Sequence, residues 1–198
     1  FGFQALTPAD VDGASAPPVN SAAYFLRHRD TDLHFGPPSD SLELWSLAVD
    51  FSNPANTALN GPTYIPVAEF DSTLCGQTSY ECFAQPGSAT TLDPLREVVM
   101  WRLQYRNFGS HEALVGNFVV DVDGSDRGGI RWFELNKTGA NWVLRQEGTY
   151  SPDAVNRWMG AIAMDGSGNI ALGYNVSDAT SIFPGLRYTG RLSGDSAG

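Results

Sequence analysis

"LVGNFVVDVDGSDRGGIRWFELNKTGANWVLRQEGTY", residues 114–150, decides the fold. An apolar run leads into an Asp-Gly corner, a second run carries aromatic residues at its middle, and a polar loop leads to a third run. No 3.6-residue period is present, and the pattern is that of antiparallel strands joined by tight turns. "WMGAIAMDGSGNIALGYNVSDATSIFPGLRYTG", residues 158–190, repeats the plan. A weaker copy runs through "YFLRHRD", "SLELWSLAVDF" and "TYIPVAEFD". Residues 23–198 therefore read as about three blade-like, four-stranded antiparallel units, about 23–106, 107–150 and 151–198. Their spacing is in the range of β-propeller blades. The last unit lacks a fourth strand, so the ring would be incomplete without further sequence.

Working outward, strands are expected at 23–29, 42–51, 63–70, 97–106, 112–121, 129–135, 142–149, 157–164, 170–176 and 186–192. Residues 7–21, "TPADVDGASAPPVNS", show no periodicity, and 1–22 read as an extended lead-in, not a packed element. At 198 residues, 42% apolar and with five Trp, the chain can bury a core and is too hydrophobic for intrinsic disorder.

A formal net charge of −10 repels phosphate backbones and anionic lipid, which argues against a nucleic-acid partner. No run approaches the roughly 18 apolar residues of a membrane span. Cys75 and Cys82 flank a short polar loop in "LCGQTSYEC" and lack the further ligands of a zinc site. A disulfide between them is the favoured reading, and it implies an oxidising compartment, hence secretion or the cell surface.

Three constellations could carry chemistry. In "VVDVDGSDRGG", Asp121, Asp123 and Asp126 could offer carboxylate oxygens to calcium, with Gly124 bending the chain. The alternative is a hairpin corner whose aspartates cap backbone N–H groups. Asp165, Ser167 and Asn169 in "DGSGN" repeat the theme, which favours architecture over a single active site. In "RHRDTDLH", an extended strand would put His28, Asp30, Asp32 and His34 on one face, able to bind a metal ion or to supply an acid and a base. A solvated polar edge is the plainer explanation. In "MWRLQYRNF", Arg102, Gln104 and Arg106 share a face opposite Trp101, Leu103 and Tyr105, and Arg102 and Arg106 could clamp a carboxylate or pair with the chain's own acids. No nucleophile elbow and no phosphate loop is present.

"LDPLREVVMWRLQYRNFGSHEALVGNFVVDVDG", "GGIRWFEL" and "RWMGAIAMDGSGNIALGYNVS" with "PGLRYTGR" resemble a group of large secreted bacterial proteins over nearly the whole chain. That resemblance implies an exported β module, an interior piece of a longer polypeptide, and it brings no activity with it. More distantly, "IAMDGSGNIALGY" is similar to the strand-turn-strand of sialidase-like Asp-box propellers, though Ala163 stands where such a box has Ser and Ile170 where it has an aromatic. Together these expectations describe a non-catalytic extracellular scaffold, adhesin or glycan-binding element. Its partners would be glycans, other extracellular chains or the rest of its own polypeptide. A sialidase-like glycosidase or polysaccharide lyase centred on the propeller axis, and a structural subunit of an extracellular assembly, are the alternatives.

Overall fold

The short, β-branched and aromatic runs form eleven strands in the computed structural model, which describes residues 5–197. They are β1 (Thr7–Asp12), β2 (Ala23–Arg29), β3 (Ser41–Ala48), β4 (Ala58–Pro66), β5 (Leu103–Asn107), β6 (Glu112–Asp121), β7 (Gly128–Lys137), β8 (Trp142–Tyr150), β9 (Asn156–Met164), β10 (Ile170–Ser177) and β11 (Gly185–Arg191). The only helical turns among the described residues are 3-10 turns at Pro54–Asn56 and Cys75–Gln77.

Eight strands make one sheet in the order β4-β3-β2-β1-β5-β6-β7-β8, strongly curled into a half-barrel. The curl brings β4 near β8. Side chains bridge the gap, with Glu147 Oε1 accepting from the Ala68 N–H at 2.7 Å and Arg131 donating to the Ala68 carbonyl at 3.0 Å. The concave face closes over Leu26, Leu42, Phe70, Leu103, Tyr105 and Phe118. A second sheet, β11-β10-β9, stacks on the convex side of β6 and β7. Ala113, Val115, Ile130 and Trp132 meet Ile162, Leu172, Tyr174 and Val176 in the layer between the sheets.

Strand β6 is consequently buried at all ten positions: Leu114, Phe118 and Val120 point into the half-barrel, and Ala113, Val115 and Val119 point away from it. Two buried faces explain why 112–121 is nearly continuously apolar instead of alternating. Close approach of the layers relies on small residues. A Cβ on Gly160 of β9 would collide with the Asn117 side chain of β6, and one on Gly128 would collide with the Phe83 ring.

The chain is all-β as the periodicity predicts, but this arrangement does not confirm a propeller. The meanders β6-β7-β8 and β9-β10-β11 do stack face to face, as consecutive blades would. The four-stranded units about 23–106 and 107–150, however, are not separate sheets. Their strands run into one another through β1, which pairs antiparallel with β2 at Thr7 and Pro8 and parallel with β5 from Ala9 to Asp12. That strand lies inside the stretch expected as an unpacked lead-in. A Pro and two Asp hide it from propensity, and its two neighbours supply the hydrogen bonds that make it a strand.

Residues 67–102 cross the end of the half-barrel with little regular structure, and two buried aspartates anchor them. Asp30 accepts from the N–H and hydroxyl of Ser72 at 2.8 Å each, and Asp40 accepts from the Phe70 N–H at 2.8 Å. The expected Cys75–Cys82 disulfide is formed, with 5.3 Å between the Cα atoms. It lies in a small core with Leu74, Phe83, Val119 and Trp158, which ties the crossing segment to β6 and β9.

Candidate functional site

The acidic corner between β6 and β7 is filled by its own backbone. Asp121 accepts from the N–H groups of Asp123 and Gly124 at 3.0 Å each and of Asp126 at 2.8 Å. Asp123 accepts from the Ser125 hydroxyl at 2.6 Å and pairs with Arg127 at 2.8 Å. Asp126 accepts from the Cys75 N–H at 2.6 Å. Between β9 and β10, Asp165 accepts from the N–H groups of Ser167 at 2.8 Å and Asn169 at 2.9 Å and from the Asn169 amide at 2.8 Å. Hydrogen bonding, from Ser125 and from Asn169 respectively, lowers the pKa values of Asp123 and Asp165. Calcium requires six to eight oxygens free to turn inward. These oxygens face N–H donors, and no group of three or more His, Cys, Asp or Glu among the described residues is arranged to hold a metal ion. As folded, both corners spend carboxylate oxygens on their own turns and on the Cys75 N–H.

The row expected in 28–34 is divided. Strand β2 ends at Arg29, and the N–H groups of Leu33 and His34 turn back to the Asp30 carbonyl. His28 is 1% exposed, stacked on Phe118 at 4.6 Å and edge-on to Phe70 at 5.7 Å. Burial pushes its pKa down to about 3. Asp30 points to the crossing segment, Asp32 is exposed, and the Nδ1 of His34 lies 3.2 Å from the Asp30 carbonyl. His34 lies near enough to His28 and to Asp30 for their charges to interact, while Asp32 stands out in solvent.

The row on β5 keeps the alternation that the sequence predicts. Leu103 and Tyr105 enter the half-barrel core, while Arg102, Gln104 and Arg106 stand on the opposite face beside Asp10 and Asp12 of β1. Arg102 pairs with Asp10, and its Nη1 lies 3.5 Å from Asp12. Gln104 is buried and donates to Asp12 at 2.7 Å while accepting from the Met164 N–H at 2.5 Å. Arg106 donates through Nε to the Met164 carbonyl at 3.1 Å. Side chains of β5 thus clasp the free edge of β9, and this clasp forms a cleft.

The cleft has a volume of about 520 Å³ and opens where the hairpin end of the small sheet meets β1 and β5. One wall is Asp12, Gln104 and Arg106, and the rim carries Asp165, Asn169, Arg191 and Asp195. Its floor is the outer face of the small sheet, where Ala163, Ala171 and Gly190 lie side by side across three strands. A Cβ at Gly190 would lie 2.9 Å from the Ile170 carbonyl oxygen, so the floor stays flat there. Arg191 is held by Gln146, by the Asp195 carbonyl at 2.8 Å and by the Trp132 ring at 5.6 Å.

The structure therefore gathers Arg106, Asp165 and Asn169 from the predicted residues into one place. It leaves Asp121, Asp123 and Asp126 at a separate corner and His28 in the core. Sequence reasoning missed Asp12, Arg191 and Asp195. Asp12 lies in the supposed lead-in, and the other two lie beyond the repeat, so only sheet stacking brings them together. Compared with known protein families, with characterised proteins and with solved structures, the chain matches none.

Proposed function

We propose that this chain is a non-catalytic extracellular module, a rigid β scaffold of a larger secreted or surface protein that presents the inter-sheet cleft for recognition. The carrying observation is how its carboxylates are used. Every aspartate whose pKa is clearly displaced, namely Asp12, Asp50, Asp123, Asp153, Asp165 and Asp178, is displaced downward, chiefly by hydrogen bonds from neighbouring side chains or backbone. A glycosidase acid needs the opposite displacement, so that it carries a proton near neutral pH. These groups serve as hydrogen-bond acceptors for neighbouring turns and side chains. The disulfide is compatible with an extracellular placement.

The sialidase-like or lyase alternative asks for arginines converging on one substrate carboxylate. Arg102 is taken by Asp10 and Asp12, and Arg191 is taken by Gln146 and by the segment that follows it. Incubation with neutral and acidic polysaccharides, followed by size-exclusion chromatography and a reducing-end assay, is expected to return every polymer at its starting length. New reducing ends or unsaturated uronide absorbance would overturn the reading.

A further inference from the structure

The geometry points to the cleft between the β1–β5 wall and the outer face of β9-β10-β11 as a binding site for a neutral, hydroxyl-rich sugar, one to three pyranose units long. This inference rests on the non-catalytic recognition reading and supplies its ligand class.

Charge comes first. Two arginines, Arg106 and Arg191, stand against three aspartates, Asp12, Asp165 and Asp195, so the cleft offers no net field to hold an anion. Individually, however, the groups are strong donors and acceptors with capacity left over. Arg106 uses Nε on the Met164 carbonyl; Asp12 and Asp165 lie near enough to feel its charge, but among the described residues no hydrogen bond takes its two Nη groups, which remain as donors. Asp195 uses one oxygen on the Leu192 N–H, which leaves the other as an acceptor. A ligand that both gives and takes hydrogen bonds at adjacent atoms satisfies such a rim, and vicinal hydroxyls do that without charge.

Ala163, Ala171 and Gly190 form one cross-strand row, and the next row is Ala161, Gly173 and Tyr188. This surface is apolar, nearly flat and free of large side chains until Tyr188, which is 87% exposed. Tyr188 lies two residues from Gly190 along β11, roughly 6.6 Å away. The C–H face of one pyranose can lie on the small-residue floor with its hydroxyls at the polar rim, and the next ring then reaches the tyrosine, whose apolar face and polar tip suit stacking. A volume of about 520 Å³ is in the ordinary range for small-molecule sites.

The test titrates the protein with cellotriose, maltotriose, xylotriose and mannotriose, with trigalacturonate as the charged probe, by calorimetry and saturation-transfer NMR. At least one neutral trisaccharide is expected to bind and to be recovered uncut. Ala171→Trp places a large ring on an exposed floor position without entering the core, and it should weaken binding at least tenfold. Arg106→Ala should do the same, and Tyr188→Ala should cost a few-fold. The inference fails if none of the neutral probes binds, if trigalacturonate alone binds, or if Ala171→Trp leaves the affinity unchanged; a blank panel would leave the scaffold reading standing. A bound trisaccharide that is cleaved would keep the site and overturn the non-catalytic reading instead.

Discussion

Aspartate and histidine show how much a residue's meaning here depends on its immediate surroundings. Asp121 and Asp165 look alike in sequence and act alike in structure, each folding a carboxylate over the N–H groups of its own turn. His28 and His34 also look alike, yet one is fully buried between Phe70 and Phe118 and the other sits on a half-buried turn. Burial lowers both pKa values, that of His28 from 6.5 to about 3. The native state therefore binds fewer protons than the unfolded chain between about pH 3 and 6.5. Stability from this source is complete above pH 6.5 and is lost as pH falls through that window. Aspartates such as Asp153, lowered from 3.8 to about 2, add to the loss only below about pH 4. Denaturant unfolding from about pH 4.5 to 6.5 should accordingly show stability rising with pH, and His28→Phe should flatten the slope by up to about one proton, leaving the His34 contribution. An unchanged slope in the variant would remove His28 as the cause.

Strands and connections follow the same logic one level up. Strand β6 was legible to the residue because a largely apolar run without helical period is bounded by Glu112 and an Asp-Gly corner, and the structure buries all ten of its positions. Strand β1 was not legible, because its support is backbone pairing with β2 and β5 and side-chain bonds from Arg102 and Gln104, all from residues outside its own stretch. The 97–106 candidate shrinks to Leu103–Asn107 because its first half belongs to the segment that closes the half-barrel. That crossing segment has no ladder to hold it and depends on Asp30, Asp40 and the disulfide. Replacing Cys75 and Cys82 together by Ser should lower stability by about 2.5 kcal/mol on the loop-entropy estimate. For a chain of this size the corresponding fall in Tm is roughly 5–10 °C. Reductant should reproduce the shift in the parent protein and leave the double variant unaffected; equal melting of the two proteins without reductant would show the bond to be energetically idle.

At the scale of the whole molecule, the stacking of one curled sheet on a smaller one creates the cleft, and neither sheet contains it alone. The wall comes from β1 and β5, the floor from the small sheet, and the clasp between them from Gln104 and Arg106 on Met164. Stiffness in such an assembly comes from hydrogen-bonded corners and does not call for a bound ion. Melting in several millimolar calcium should match melting in chelator to within about 1 °C, since an ion that binds the native state raises Tm with its concentration. A rise of several degrees that grew with calcium would restore the acidic corners as metal sites.

Local order alone determined that this chain is all-β, that 112–150 and 157–192 are similar meanders, that Asp-Gly pairs mark their corners, and that Cys75 and Cys82 are close enough to join. Each of these depends on side-chain period, turn chemistry or short loop length, which a linear chain carries within a few residues. Sheet order was decided only in three dimensions. A polar hexapeptide near the start was drafted as the link between two halves of a half-barrel, and an eight-stranded sheet formed where separate blades were expected. Long-range pairing and the stacking of two faces of β6 set that outcome, and the positions of Asp12, Arg106, Arg191 and Asp195 around one cleft follow from it.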